Sequence, residues 1–228
     1  PGARPEQLFG HHKFENILLV AEYGNSKTPP NNERRAYMSD DYGASWKQIF
    51  EGPAVQNFHC HDIKYDPYED IIWIVTGDFT ENRRVYWSLN RGVTWNEFTP
   101  SVQFSSITVL PGCVIFGTDS SAIVGFYTLR RPSGGFRNYA PVNTDVKIGY
   151  VVTDDYSAAP PMASRTFATL DGIAYLGFCE NVKEALLPTS LYATTDGVNF
   201  YNVWTMAYSA NDTTHPNVGI YSVAGISS

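Results

Sequence analysis

His59 and His61 stand two residues apart in the run His59-Cys60-His61-Asp62-Ile63-Lys64-Tyr65, and Asp78 follows the next apolar run, Ile71 to Gly77. Residues two apart on a strand share a face, so the two imidazoles project together and Asp62 points to the other side. Paired imidazoles bind a metal ion or hydrogen-bond a polar ligand. Zinc sites need three or four ligands, and no third one stands beside this pair in the sequence. Hydrogen bonding to a ligand, or a plain strand beginning, is therefore the expected role. Carboxylates recur in the position of Asp78: Glu22, Asp119 and Glu180 also end or follow apolar runs. Four such groups brought together would hold a cation such as calcium or the hydroxyls of a sugar. Their plainer role is turn capping and solubility. The pairs Arg34/Arg35 and Arg83/Arg84 each precede another strand, where alternate members could grip carboxylates of an acidic glycan. Structural salt bridges with Glu33, Asp78 or Glu81 are the competing use.

The arginine pairs head a repeat that must position these groups. Arg34-Arg35-Ala36-Tyr37-Met38-Ser39-Asp40-Asp41-Tyr42-Gly43-Ala44-Ser45-Trp46 recurs as Arg83-Arg84-Val85-Tyr86-Trp87-Ser88-Leu89-Asn90-Arg91-Gly92-Val93-Thr94-Trp95. The offset of about 49 residues is in the range of a propeller blade. A third, partial copy places Tyr192, Thr194, Asp196 and Phe200 in the same order with one residue deleted. The shared positions make a turn. Asp41 or Asn90 accepts backbone N–H groups, Gly43 or Gly92 takes a positive φ, and the aromatic packs the hairpin against its sheet.

Around each copy the pattern reads strand, turn, strand, loop, strand, turn, strand. The second unit is the fullest, with a half-buried strand at 59–65, a turn through Asp66-Pro67, and a buried strand at 71–77. The expected architecture is all-β: a β-propeller of four-stranded antiparallel blades at 16–52, 57–100, 104–142 and 146–204. Residues 1–15 read as a connector or the remnant of an earlier strand. Residues 215–228 read as a closing strand, or as the first strand of a further blade, so the four countable blades fit either a closed ring or part of a larger one. In the third blade Phe136–Tyr139 is expected to be the fourth strand, and Arg130-Arg131-Pro132-Ser133-Gly134-Gly135 replaces the turn.

Composition agrees with this fold class. Hydrophobic residues make up 43% and charged residues 17%, with 15 Tyr, 13 Phe, 18 Gly and 14 Pro, which favours many short strands joined by tight turns. A net charge of −7 excludes a nucleic-acid partner held through phosphates, and no apolar run approaches the roughly 20 residues that span a bilayer. Cys60, Cys113 and Cys179 lie in apolar segments and read as small buried hydrophobes. No Gly-x-Ser-x-Gly, His-Glu-x-x-His or Gly-rich phosphate loop is present.

Ser39-x-Asp41-x-Gly43-x-Ser45-Trp46, Ser88-x-Asn90-x-Gly92-x-Thr94-Trp95 and the partial copy at Asp196 resemble the Asp-box, or BNR repeat, of the sialidase-like β-propellers. The resemblance spans roughly residues 16–204. It implies that the box residues are structural, on a turn away from the face where ligands bind, and that Asp41 is not a catalytic carboxylate. The family's sialidases also carry an Arg-Ile-Pro segment, three substrate-binding arginines and a Tyr/Glu pair. The nearest string here is Arg130-Arg131-Pro132, so no catalytic residue carries over. The stretch from His61 to Asp78 is similar to segments of BNR proteins that include phage virion proteins. The expectation is a non-enzymatic propeller, extracellular or on a virion, that binds a glycan, a cell-surface receptor or neighbouring subunits without a cofactor. The alternative is a sialidase-like glycoside hydrolase using the carboxylates at the loop end.

Overall fold

The computed structural model describes residues 7–23, 33–55, 58–118, 125–151, 166–168, 172–177 and 189–206. They form four antiparallel sheets of four strands, each a meander of consecutive strands, the blade unit of an all-β propeller. The first sheet runs β1 (Gln7–Phe14), β2 (Ile17–Tyr23), β3 (Arg35–Ser39) and β4 (Lys47–Glu51). The second runs β5 (His59–Asp66), β6 (Ile71–Gly77), β7 (Arg84–Ser88) and β8 (Asn96–Phe98). The third is β9 (Phe104–Leu110), β10 (Cys113–Thr118), β11 (Gly125–Arg130) and β12 (Val146–Val151). The fourth is β13 (Thr166–Ala168), β14 (Ala174–Gly177), β15 (Thr189–Thr194) and β16 (Tyr201–Met206). Contacts divide the described residues into two compact units, one within 1–107 and 132–143, the other within 108–131 and 144–228.

In the first unit the core is built between the first two sheets. Ile17, Leu19, Ala36, Met38 and Phe50 from one sheet pack with Cys60, Ile63, Ile72, Ile74 and Tyr86 from the other. Every residue of β6 is buried, which is why its sequence is an uninterrupted apolar run rather than an alternating one. In the second unit Leu110, Cys113, Ile115 and Phe126 pack with Ala174 and Leu176.

Two expected boundaries move. Residues 7–14, read as part of a connector or of the remnant of an earlier strand, are β1. They pair with β2 from Gln7↔Tyr23 to Phe14↔Ile17, so the N-terminal sheet takes its first strand from the residues just before β2. The closing strand expected at 215–228 lies outside the described residues. In the third sheet, Phe136–Asn138 is a 3-10 turn and the fourth strand is β12, which pairs with β11. The cause is local: Pro132 fixes its φ, and Gly134 and Gly135 take φ of 93° and 78°, which turns the chain out of the sheet. Phe136 then buries its ring edge-on to Trp73 at 5.3 Å, and the Arg137 guanidinium donates to the Glu69 and Leu89 carbonyls.

Candidate functional site

The turns that carry the repeat share one bonding scheme. Ser39 Oγ–H donates to Asp41 Oδ1 (2.7 Å) and accepts the Gly43 N–H (2.8 Å), while Asp41 accepts the N–H and hydroxyl of Ser45. Ser88, Asn90, Gly92 and Thr94 repeat these bonds within 0.3 Å where both turns make them. Asp196 accepts the N–H groups of Val198 and Asn199, both at 2.8 Å. Gly43, Gly92 and Gly197 have φ of 89°, 85° and 66°. Bonds from Ser45 and Ser39 hold the Asp41 carboxyl down at about 2, and backbone bonds from Asn199 and Val198, outweighing burial, hold Asp196 there too. Both carboxylate oxygens of each acid accept a bond from within the turn.

The aromatic of the turn reaches further than expected. Trp95 reaches beyond its own sheet: its indole N–H donates to the Ile49 carbonyl at 2.7 Å, and its ring meets Phe50 edge-on at 5.2 Å. Both partners belong to the preceding sheet. Phe200, the equivalent residue in the fourth sheet, stacks on Phe126 of the third at 5.8 Å. Trp46 has no preceding sheet among the described residues and is 47% exposed.

The arginine pairs meet glutamates of the fourth strands and carbonyls beyond them. Arg34 bonds the Gly52 carbonyl and Glu51, and Arg35 lies 3.5 Å from Glu51. Arg83 donates to the Ser101 carbonyl, and Arg84 lies 3.8 Å from Glu97. Glu22 accepts the Arg35 N–H and the Tyr37 hydroxyl, each at 3.0 Å. Asp119 and Glu180 lie outside the described residues, so the ring of four carboxylates reduces here to Glu22 and Asp78.

At the opposite end of the second sheet from its turn, three groups converge. His59 Nε2 and His61 Nε2 are 3.0 Å apart, and Asp78 brings Oδ1 to 3.2 Å from His61 and Oδ2 to 3.4 Å from His59. Asp78 is the third group that the histidine pair lacked in the sequence. The hairpin β5–β6 delivers it: His59 pairs with Gly77, and a β-bulge at His61 shifts the register between Cys60 and Asp62. Bulges re-aim side chains in this way. Gly77 leaves the room, since a Cβ there would lie 2.6 Å from the His61 ring. Asp78 then takes φ 81°, rare for a residue with a side chain, and folds its carboxylate back over the histidines.

Surrounding groups hold the cluster in place. His61 Nδ1 donates to the Phe104 carbonyl at 2.9 Å, Tyr23 packs its ring 4.2 Å from that of His59, and Gln103 reaches Asp78 Oδ1 at 3.4 Å. Both histidines are buried, while the Asp78 side chain is 34% exposed and opens the cluster to solvent. Burial pushes the Asp78 carboxyl upward, but bonds from His59 and His61 and their charge outweigh it and leave the carboxyl far below its ordinary value. Asp62, on the other face, accepts N–H groups from Ile63 and Ile107 and an ion pair from Lys64. It ties β5 to β9 and takes no part in the cluster. Tyr23, Gln103 and Phe104 were not legible as site residues, because they come from strands and connections remote from 59–78.

No protein-family model matches the chain, and no curated protein matches it. Among solved structures it is similar to YCF48 bound to D1 peptide, at 10% identity over 88% of this chain and 54% of that one, with TM-score 0.47. It is similar to GH43B of a Bacteroides ovatus xyloglucan locus, at 9% identity over 85% and 40%, TM-score 0.49. A Penicillium chrysogenum α-L-arabinanase complexed with arabinobiose matches at 13% identity over 87% and 67%, TM-score 0.43. The chain spans about half or less of the first two.

Proposed function

We propose that this chain is a recognition module, a β-propeller of the Asp-box kind that binds a glycan at the loop end of its second sheet and does not turn it over. The observation that carries the reading is the engagement of Glu22 and Asp78, the two candidate carboxylates among the described residues. Both oxygens of Glu22 accept protein donors, and Asp78 is held by two histidines and Gln103. A glycosidase needs one carboxyl kept protonated by a raised pKa and a second, ionised one at a set distance; Asp78, held below its ordinary value, does not fit the first of these roles. Phe79, 45% exposed and adjacent to Asp78, offers an apolar face on which a sugar ring can stack beside hydrogen-bonding groups. On this reading the chain works outside the cell or on a virion surface, and its partners are surface polysaccharides or receptors.

Glycan-array screening followed by calorimetry tests it. Phe79→Ala and Asp78→Asn are each expected to weaken a positive glycan by about tenfold, equivalent to about 1.4 kcal/mol. Absence of binding to every surface polysaccharide tried would sink the reading. Two of the similar structures are a GH43 protein and an arabinanase, so the same samples belong on a panel of fluorogenic glycosides. Turnover abolished by Glu22→Gln or Asp78→Asn would replace the recognition module with a glycoside hydrolase.

A further inference from the structure

We propose that His59 Nε2, His61 Nε2 and the Asp78 carboxylate form a binding site for a divalent transition-metal ion of the zinc type, with at least one coordination position open to solvent. The first support is spacing. Ligand atoms about 2.0–2.2 Å from a tetrahedral zinc ion stand roughly 3.3 Å from each other. The three separations here are 3.0, 3.2 and 3.4 Å, so one ion touches all three groups with little movement of any.

The second support is the direction of the lone pairs. The Phe104 carbonyl can only accept, so the hydrogen at His61 lies on Nδ1, and the lone pair of Nε2 faces His59 and Asp78. An imidazole anchored through one nitrogen to a carbonyl while the other faces the site is the arrangement of a metal-bound histidine. Packed without a cation, Nε2 of His61 would face a carboxylate oxygen at 3.2 Å with no proton between them. A metal ion, a second proton on the ring, or an Nε2–H of His59 directed at His61 and Asp78 resolves that repulsion, and an experiment must separate the metal from the two proton arrangements.

Donor chemistry selects the ion. Two imidazole nitrogens and one carboxylate suit zinc, cobalt, nickel or copper, whereas calcium and magnesium take oxygen shells. Cys60, between the histidines, is buried in the apolar core with Ile63, Ile72 and Ile74 and is not among the groups that converge at the site, which leaves it out of the ligand set. The scaffold is preformed: a bulge aims His61, Gly77 makes room for it, and Asp78 holds a left-handed backbone. Unfavourable backbone of this kind persists where the surroundings enforce it, and it clusters at functional sites. The 34% exposure of Asp78 gives the ion a path in and leaves room for water or a ligand group on its outer side.

The test uses the full chain, stripped with a chelator and titrated with Zn2+ by calorimetry, with Ca2+ as the comparison. One Zn2+ per chain is expected, together with a rise in thermal midpoint and, on Co2+ substitution, the intense visible bands of a tetrahedral site. Calcium should produce none of these. Asp78→Asn and His61→Ala should each weaken Zn2+ by at least about 100-fold, beyond the 10–100-fold typical of losing an outer partner, while Val93→Ala, on the exposed turn at the other end of the sheet, retains it. Should His61→Ala fail to fold, the Co2+ spectrum of the unaltered chain and the near-isosteric Asp78→Asn still decide. No uptake by the unaltered chain, or uptake indifferent to Asp78→Asn, would overturn the proposal in favour of a proton held among the three groups. These measurements use no glycan, so their failure and the failure of the recognition reading are separately visible.

Discussion

At the scale of single residues, glycines and acids of the repeated turn are set by backbone demands. Gly92 has φ 85°, and a Cβ there would lie 2.5 Å from Ile49 Cβ. Gly92→Ala should therefore lose about 1–2 kcal/mol to the left-handed backbone and about 1–3 kcal/mol more to overpacking. Gly112 faces open space, and Gly112→Ala should stay within about 0.5 kcal/mol. Urea midpoints of the two variants, compared under one condition, check both. Asp41 carries a pH signature. Its folded pKa, about 2, lies below the ordinary 3.8, so the stability it adds is complete above about pH 4 and is lost as pH falls towards 2. Asp41→Asn mimics the natural Asn90, whose turn keeps the same bonds. The variant should fold at neutral pH and show a flatter loss of thermal midpoint between pH 4 and 2 than the unaltered chain.

Elements are joined by the turn aromatics. Within each compact unit, the box of the later sheet leans on the earlier one, through Trp95 on Ile49 and Phe50 and through Phe200 on Phe126. Gly92 and Gly197 sit at those same contacts, against Ile49 and against Cys113 and Thr128. A turn device and a sheet-to-sheet joint are thus one object. Trp95→Phe keeps an aromatic ring but removes the donor to the Ile49 carbonyl, which should cost about 1 kcal/mol, in addition to the packing of the lost part of the indole. Trp46→Phe, at a half-exposed position, should cost less in the same chemical denaturation series. An equal loss in the two variants would mean that the joint at Ile49 contributes nothing of its own.

For the molecule as a whole, the cysteines report on the cores. Cys60 and Cys113 are free and fully buried, one in each unit. Burial pushes the Cys113 thiol up to about 11 and Cys60 higher still, so neither is a reactive thiolate at neutral pH. In a Cys179→Ser background, a chromogenic disulfide reagent should find no thiols in the native chain and two after guanidinium unfolding. Staged release of the two with rising denaturant would show that the units open separately, and simultaneous release that they open together.

The sequence by itself determined the class of fold and the repeat, because period-two burial, turn glycines and short acceptors act within a few residues of where they stand. The grammar of strand, turn, strand, loop, strand, turn, strand around Asp41, Asn90 and Asp196 is local physics, and it reads directly. Only the tertiary structure decided what those elements touch. That Trp95 bonds a neighbouring sheet, that Arg34 and Arg35 are spent on Glu51, and that Phe136 leaves its sheet for Trp73 all depend on surfaces remote in the chain. The site shows the division most clearly. His59, His61 and Asp78 were each conspicuous as letters, and a simple hairpin through Asp66 and Ile71 already brings 59 close to 78. Their union rests on one bulge, one missing Cβ and one left-handed residue. Those features depend on how two strands pair and on what packs against them, including Gln103 and Phe104 from beyond the second sheet, and neighbouring letters do not encode that.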